Sequence, residues 1–180
     1  MEAHTALTEV LPSSVFVALV GAAGVCDAWT RRIPNWLTLC TMIIAFAFRA
    51  AEGFGPLAEG LLGAGCGLFI AFLLFSLGAL GGGDGKLLIG VGAFLGYERF
   101  AGALLLIAVL GGLLGVVEAV RRGVILPSVL NAGRMIRSWL TFGRQGERRT
   151  LASPGAVAVP YGVAISLGAI IWWFWGGNFP

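Results

Sequence analysis

A chain of 180 residues, 58% hydrophobic and only 12% charged, with a mean hydropathy of +0.91, is too apolar for an ordinary soluble domain and belongs in a bilayer. The formal charge of +3 does not point to nucleic acid, because the basic residues flank apolar runs and form no stripe interleaved with stacking aromatics. Cys26, Cys40 and Cys66 have no CxxC spacing and His4 is the lone histidine, so no metal, disulfide framework or other cofactor is expected.

The first ten residues carry Glu2 and Glu9 and no Lys or Arg, the wrong charge for a signal-peptide start, so the first apolar run is expected to be retained. Apolar runs follow at about 10–26, 36–51, 60–79, 87–97, 100–118 and 156–175, which predicts an all-α membrane protein of six spans in one domain, 1–180. The fourth is short: Leu87 to Gly96 rises roughly 15 Å, about half of the hydrocarbon thickness, so it must start deeper, thin the bilayer or be re-entrant. Small-xxx-small pairs at Gly63/Gly67, Gly92/Gly96 and Gly111/Gly115 suit close helix packing.

Ten of the twelve basic residues fall after spans one, three and five: Arg31, Arg32, Lys86, Arg121, Arg122, Arg134, Arg137, Arg144, Arg148 and Arg149. Those loops are therefore expected to face the cytoplasm, with both termini outside. Trp172, Trp173 and Trp175 suit an outer aromatic belt, and Trp29 and Trp36 an inner one. In the loop of about 121–155, Asn131, Arg134, Ser138, Thr141 and Gln145 recur opposite Leu130, Ile136, Trp139, Leu140 and Phe142. That pattern predicts an amphipathic helix on the cytoplasmic interface, its arginines anchoring to anionic lipid.

The chain has two aspartates, and this topology brings them to one membrane face: Asp27 at the inner end of span one, Asp84 at the inner end of span three. Ionisable groups near hydrocarbon are costly and mark pathways or catalytic sites. Two carboxylates sharing a water cannot both ionise cheaply, which supplies an acid and a base. Glycines at Gly81, Gly82, Gly83 and Gly85 leave the backbone around Asp84 free to turn and open to a peptide substrate, and Pro34 ends any continuation of span one. Plainer readings stand beside this one. Asp84 suits a helix N-cap, Asp27 suits an i,i+4 pair with Arg31, Lys86 suits an interfacial anchor, and Asn35 and Tyr161 suit structural hydrogen bonding. A phosphate-binding loop is excluded by Leu80 and Leu87 where its Gly and Ser/Thr should be. A small proton-coupled transporter needs polar groups near the midplane, and Glu118 is the nearest; a scaffold subunit of a pilus or secretion machine would leave both aspartates dispensable.

Asp27-x-x-x-Arg31-x-Ile33-Pro34-Asn35, the G-x-G-D run of Gly81 and Gly83 to Asp84 with Lys86-Leu87 after it, and Pro160-Tyr161-Gly162-Val163-Ala164-Ile165 together resemble the type IV prepilin peptidases, in their short CpaA/TadV-type branch. The resemblance implies that Asp27 and Asp84 are catalytic and that the chain sits in a bacterial inner membrane with its active site toward the cytoplasm. It also implies Flp-type prepilin substrates with a basic leader cut after a glycine, and contact with the pilus assembly machinery. Larger members that also methylate carry an insertion with paired CxxC motifs; this chain has none, so cleavage without methylation is expected.

Overall fold

The computed structural model describes residues 2–76, 78–124 and 160–176, which are helical apart from short connections. Five helical runs follow one another: α1 (Glu2–Thr30), α2 (Asn35–Glu52), α3 (Phe54–Ser76), α4 (Gly82–Arg121) and α5 (Tyr161–Trp175). Leu11–Thr30 of α1, all of α3 and all of α4 are long and apolar enough to cross a bilayer, and α5 is a shorter apolar helix. The expected interfacial helix within 121–155 lies outside the described residues from 125 onward.

Run for run the expected elements are present, with shifted ends. α1 continues past the apolar run to Thr30, so Asp27 lies inside the helix rather than after it. The backbone ladder runs on through the polar residues: Arg31 N–H still donates to Asp27 O at 2.8 Å. α3 starts at Phe54, six residues before its apolar run, and α5 starts at Tyr161, with Pro160 at its N-cap in a non-helical conformation (φ −73°, ψ 82°).

The largest departure concerns the fourth and fifth runs, expected as separate spans. They form one helical run of 40 residues broken at Gly96 (φ 74°, ψ 168°). Straight, it would be about 60 Å long, twice the hydrocarbon thickness. The contacts show that it doubles back instead. Gly67 packs on Leu88 and Gly60 on Ala93, so Gly82–Leu95 runs antiparallel to α3. Gly102 packs on Trp172 and Gly111 on Tyr161, so Tyr97–Arg121 runs antiparallel to α5. Since Phe94 and Trp173 share one aromatic cluster while Arg31 pairs with Glu118, the chain reverses at Gly96. That backbone conformation is nearly reserved for glycine. Arg49 secures the turn by donating from Nη2 to Phe94 O at 2.8 Å, satisfying a carbonyl of the ending helix, and its Nη1 pairs with Glu59 at 3.4 Å.

α4 holds the centre, packed against α3, α5 and α2. One of its closest contacts is glycine on glycine: a Cβ on Gly63 would lie 2.9 Å from the carbonyl carbon of Gly92. Backbones this close maximise dispersion contact where the hydrophobic effect is absent. Gly63, Gly67 and Gly92 of the small-residue pairs lie in such backbone contacts, and Gly111 makes room for the Tyr161 ring. Of the outer tryptophans, Trp173 instead stacks on Phe16 (4.5 Å) and donates to Ser13, and Trp172 fills the space over Gly102; only Trp175 points outward. Trp29 and Trp36 are exposed beside the aspartates.

Candidate active site

One end of the bundle gathers the ends of α1, α2, α4 and α5, and the packing places both aspartates there. Asp27 sits one turn before α1 stops. The stop is abrupt: Arg31 takes a left-handed conformation (φ 52°), which costs a residue with a Cβ about 1–2 kcal/mol. Thr30 Oγ1 donates back to Cys26 O at 2.7 Å. Ile33, which is buried, then leads into Pro34, itself extended (φ −60°, ψ 135°) at the N-cap of α2.

Asp84 is not the N-cap of α4. The helix begins at Gly82, and Asp84 is its third residue, reaching back so that Oδ2 accepts the N–H of Gly81 at 3.3 Å. The carboxyl therefore has a capping bond on one oxygen and an open side as well. The motif glycines have a reason other than substrate access. A Cβ on Gly81 would lie 2.9 Å from Asp84 Oδ2, and one on Gly83 would lie 3.3 Å from Ile33 Cβ. They let α4 start against the α1–α2 connection with the Asp84 carboxyl folded over it.

Asp27, Asp84, Arg31, Arg32, Ile33, Asn35 and Gly81–Gly83 line one cavity of about 290 Å³. The two carboxyls are close enough for their charges to interact. Asp27 is only 4% exposed, and its buried Oδ2 has no hydrogen-bond partner among the described residues, although the Gly162 and Val163 amides of α5 lie alongside the carboxyl. The Gly162 amide also faces Asp84.

The other motif residues separate into two groups. Arg31 lines the cavity and its guanidinium pairs with Glu118 (3.5 Å), while its charge also acts on Asp27; Glu118 is in turn held by Arg122 at 2.6 Å. Lys86 lies outside the cavity lining and donates from Nζ to Asn35 Oδ1 at 2.8 Å, tying α4 to the start of α2. Pro34 shapes the connection. Sequence reasoning missed Gly162 and the Arg31–Glu118 pair as neighbours of the aspartates; both contacts join residues remote in the chain, and only the Pro160–Ile165 run hinted at the first. Among the described residues no three His, Cys, Asp or Glu side chains converge.

Residues 14–116 match the type IV leader peptidase family, a stretch that takes in both aspartates and their flanking motifs. The chain belongs to this family. Relatives named prepilin leader peptidase/N-methyltransferase include a protein of Dickeya chrysanthemi, 39% identical over 106 residues, 55% of this chain and 36% of that protein. Those of Klebsiella pneumoniae (35% over 99 residues, 51% of this chain and 43% of that protein) and Bacillus subtilis strain 168 (33% over 109 residues, 59% and 44%) are similar. The chain thus spans less than half the length of these family relatives. No solved structure matches it.

Proposed function

We propose that the chain is a membrane aspartic endopeptidase that removes the basic leader of Flp-type type IV prepilins after a glycine at the cytoplasmic membrane face. The observation that carries this reading is the opening of Asp27 and Asp84, from helices far apart in sequence, onto one cavity. The ionised partner draws a proton from a water as the oxygen adds to the scissile carbonyl. The protonated partner donates to the developing oxyanion, and collapse of the tetrahedral centre expels the new N-terminal amine, which takes up the proton. Which aspartate plays which part is a property of the pair.

Placement follows the cations. Arg31, Arg32, Lys86, Arg121 and Arg122 lie at the aspartate end, whereas Arg49 shares the far end with Glu59, so that the aspartate end suits the cytoplasm of a bacterial inner membrane. With α4 folded back at Gly96, six segments cross, the shortest being Gly82–Leu95 at about 21 Å. We read the activity as cleavage without methylation, because Cys26, Cys40 and Cys66 form no CxxC pair. The pilus assembly machinery is the expected partner.

The test is co-expression with a candidate Flp prepilin, following leader loss by gel shift and the new N-terminus by mass spectrometry. Asp27→Asn and Asp84→Asn should each abolish processing. Processing at the wild-type rate by either variant would refute the aspartate pair, and a methylated product would refute the restriction to cleavage.

A further inference from the structure

α5 meets the aspartates at its first turn, and what it brings there is a missing side chain. A Cβ on Gly162 would lie 2.8 Å from Asp27 Cβ, 2.8 Å from Asp27 Oδ2 and 2.8 Å from Ile33 Cδ1. Asp27 Cβ is fixed to the α1 backbone and cannot rotate away. Gly162 is the second residue of α5, in the turn whose amides carry the positive end of its dipole; the Val163 N–H reaches only Pro160 O, at 3.2 Å. Pro160 at the N-cap supplies no side-chain cap. A second acceptor facing this turn is the Asp27 carboxyl, 4% exposed, whose buried Oδ2 has no hydrogen-bond partner among the described residues.

We propose that Gly162 is a positioning residue for the aspartate pair: its bare Cα lets the first turn of α5 close onto Asp27 and present the Gly162 and Val163 amides to the buried carboxyl. This role rests on the reading of Asp27 and Asp84 as the reacting pair. Fixed donors aimed at a buried carboxyl set its orientation without reorganisation during the reaction. Gly162 is not among the residues lining the cavity, so it acts through Asp27 and not on the substrate. An added Cβ must move the two elements apart by roughly 1 Å to restore ordinary carbon contact, and a misplacement of that size in a catalytic array costs on the order of 100-fold in rate.

The same α1–α5 interface contains its own control one turn away. A Cβ on Gly24 would meet Ser166 Cβ and Oγ at 2.8 Å, an equal crowding that touches neither aspartate. Purified wild-type protein, Gly162→Ala, Gly24→Ala and Asp27→Asn would be assayed in proteoliposomes on a prepilin peptide retaining its basic leader, with kcat, KM and Tm measured for each. Gly162→Ala should lower kcat about 100-fold with KM unchanged, while Gly24→Ala keeps the wild-type kcat even where its Tm falls equally. Wild-type kcat in Gly162→Ala, or an equal loss in both glycine variants, overturns the positioning role. If Gly162→Ala does not fold, Val163→Pro decides. A proline is tolerated in a first helical turn, especially after a glycine, and removes one amide facing Asp27. Its kcat should fall by at least about tenfold at unchanged KM, since loss of one such donor has large effects, and an unchanged kcat refutes the proposal. Cleavage by Asp27→Asn at the wild-type rate would instead bring down the aspartate pair itself, an outcome distinct from inactive Asp27→Asn beside fully active Gly162→Ala.

Discussion

Asp84 performs two jobs that substitution can separate. Its Oδ2 accepts the Gly81 N–H at 3.3 Å, and its carboxyl faces the cavity shared with Asp27. Asparagine retains a carbonyl oxygen able to accept that N–H but cannot exchange a proton as an acid or base; alanine loses both. Deleting a helix-start acceptor costs about 0.5–2 kcal/mol, and a 3.3 Å bond belongs at the lower end, about 1 kcal/mol. For a chain of this size that lowers Tm by roughly 2–4 °C. Against a folding stability of about 5–15 kcal/mol it leaves the folded fraction essentially intact. Loss of acid–base chemistry, by contrast, removes about 100- to 10,000-fold in rate. The two effects therefore fall on different readouts. Asp84→Asn should melt within about a degree of wild type, having kept its acceptor, yet process no measurable prepilin; Asp84→Ala should be equally inactive and melt a few degrees lower. Leader removal in proteoliposomes and thermal unfolding in detergent measure both. Should Asp84→Asn retain activity, with Asp84→Ala losing it only in proportion to its lowered Tm, Asp84 is a capping residue and the catalytic assignment fails.

Gly96→Ala places a Cβ in a backbone region costing about 1–3 kcal/mol and sets it 3.0 Å from Arg49 Nη2, so Tm should drop by roughly 2–12 °C; an unchanged Tm would show that the reversal does not depend on this conformation. Gly63→Ala drives a methyl into the Gly92 carbonyl and should cost about 1–3 kcal/mol by overpacking, whereas Gly65→Ala on the open face of α3 should be neutral; equal Tm values for the two would contradict the α3–α4 register. Lys86→Met should reduce leader removal by no more than about fivefold, because the ammonium serves Asn35 outside the cavity and an exposed polar tie is worth about 1 kcal/mol or less; a loss comparable to Asp84→Asn would mean that Lys86 reaches the reacting groups.

That Asp27 and Asp84 lie at one end of the bundle was legible from charge asymmetry and apolar spacing, because both depend on properties summed over whole segments. Helix ends were less so. An apolar run stops at the first polar residue, while the backbone ladder of α1 runs on past Asp27 to Thr30. The reversal at Gly96 left a trace in the short fourth run, yet hydropathy carries no record of φ, and a glycine between two apolar stretches fits a loop equally well. Gly162 was hidden for another reason. Its importance comes from what it lacks, and only the docked positions of α1 and α5 show which atoms would be struck by a side chain. Arg31 at i+4 from Asp27 suggested a local ion pair; its pairing with Glu118, 87 residues further on, could not be read from that spacing.

The order in which the elements emerge during synthesis gives the placement of α5 a further consequence. Asp27 and Asp84 are both made well before Gly162, and between α4 and α5 the ribosome must add residues 122–160. At roughly 5–20 residues per second, this interval lasts about 2–8 s, during which both carboxyls exist without the helix turn that closes over them. The aspartate pair is therefore completed only when α5, the last of the described helices to emerge, docks, and the cleavage proposed for it is delayed until then.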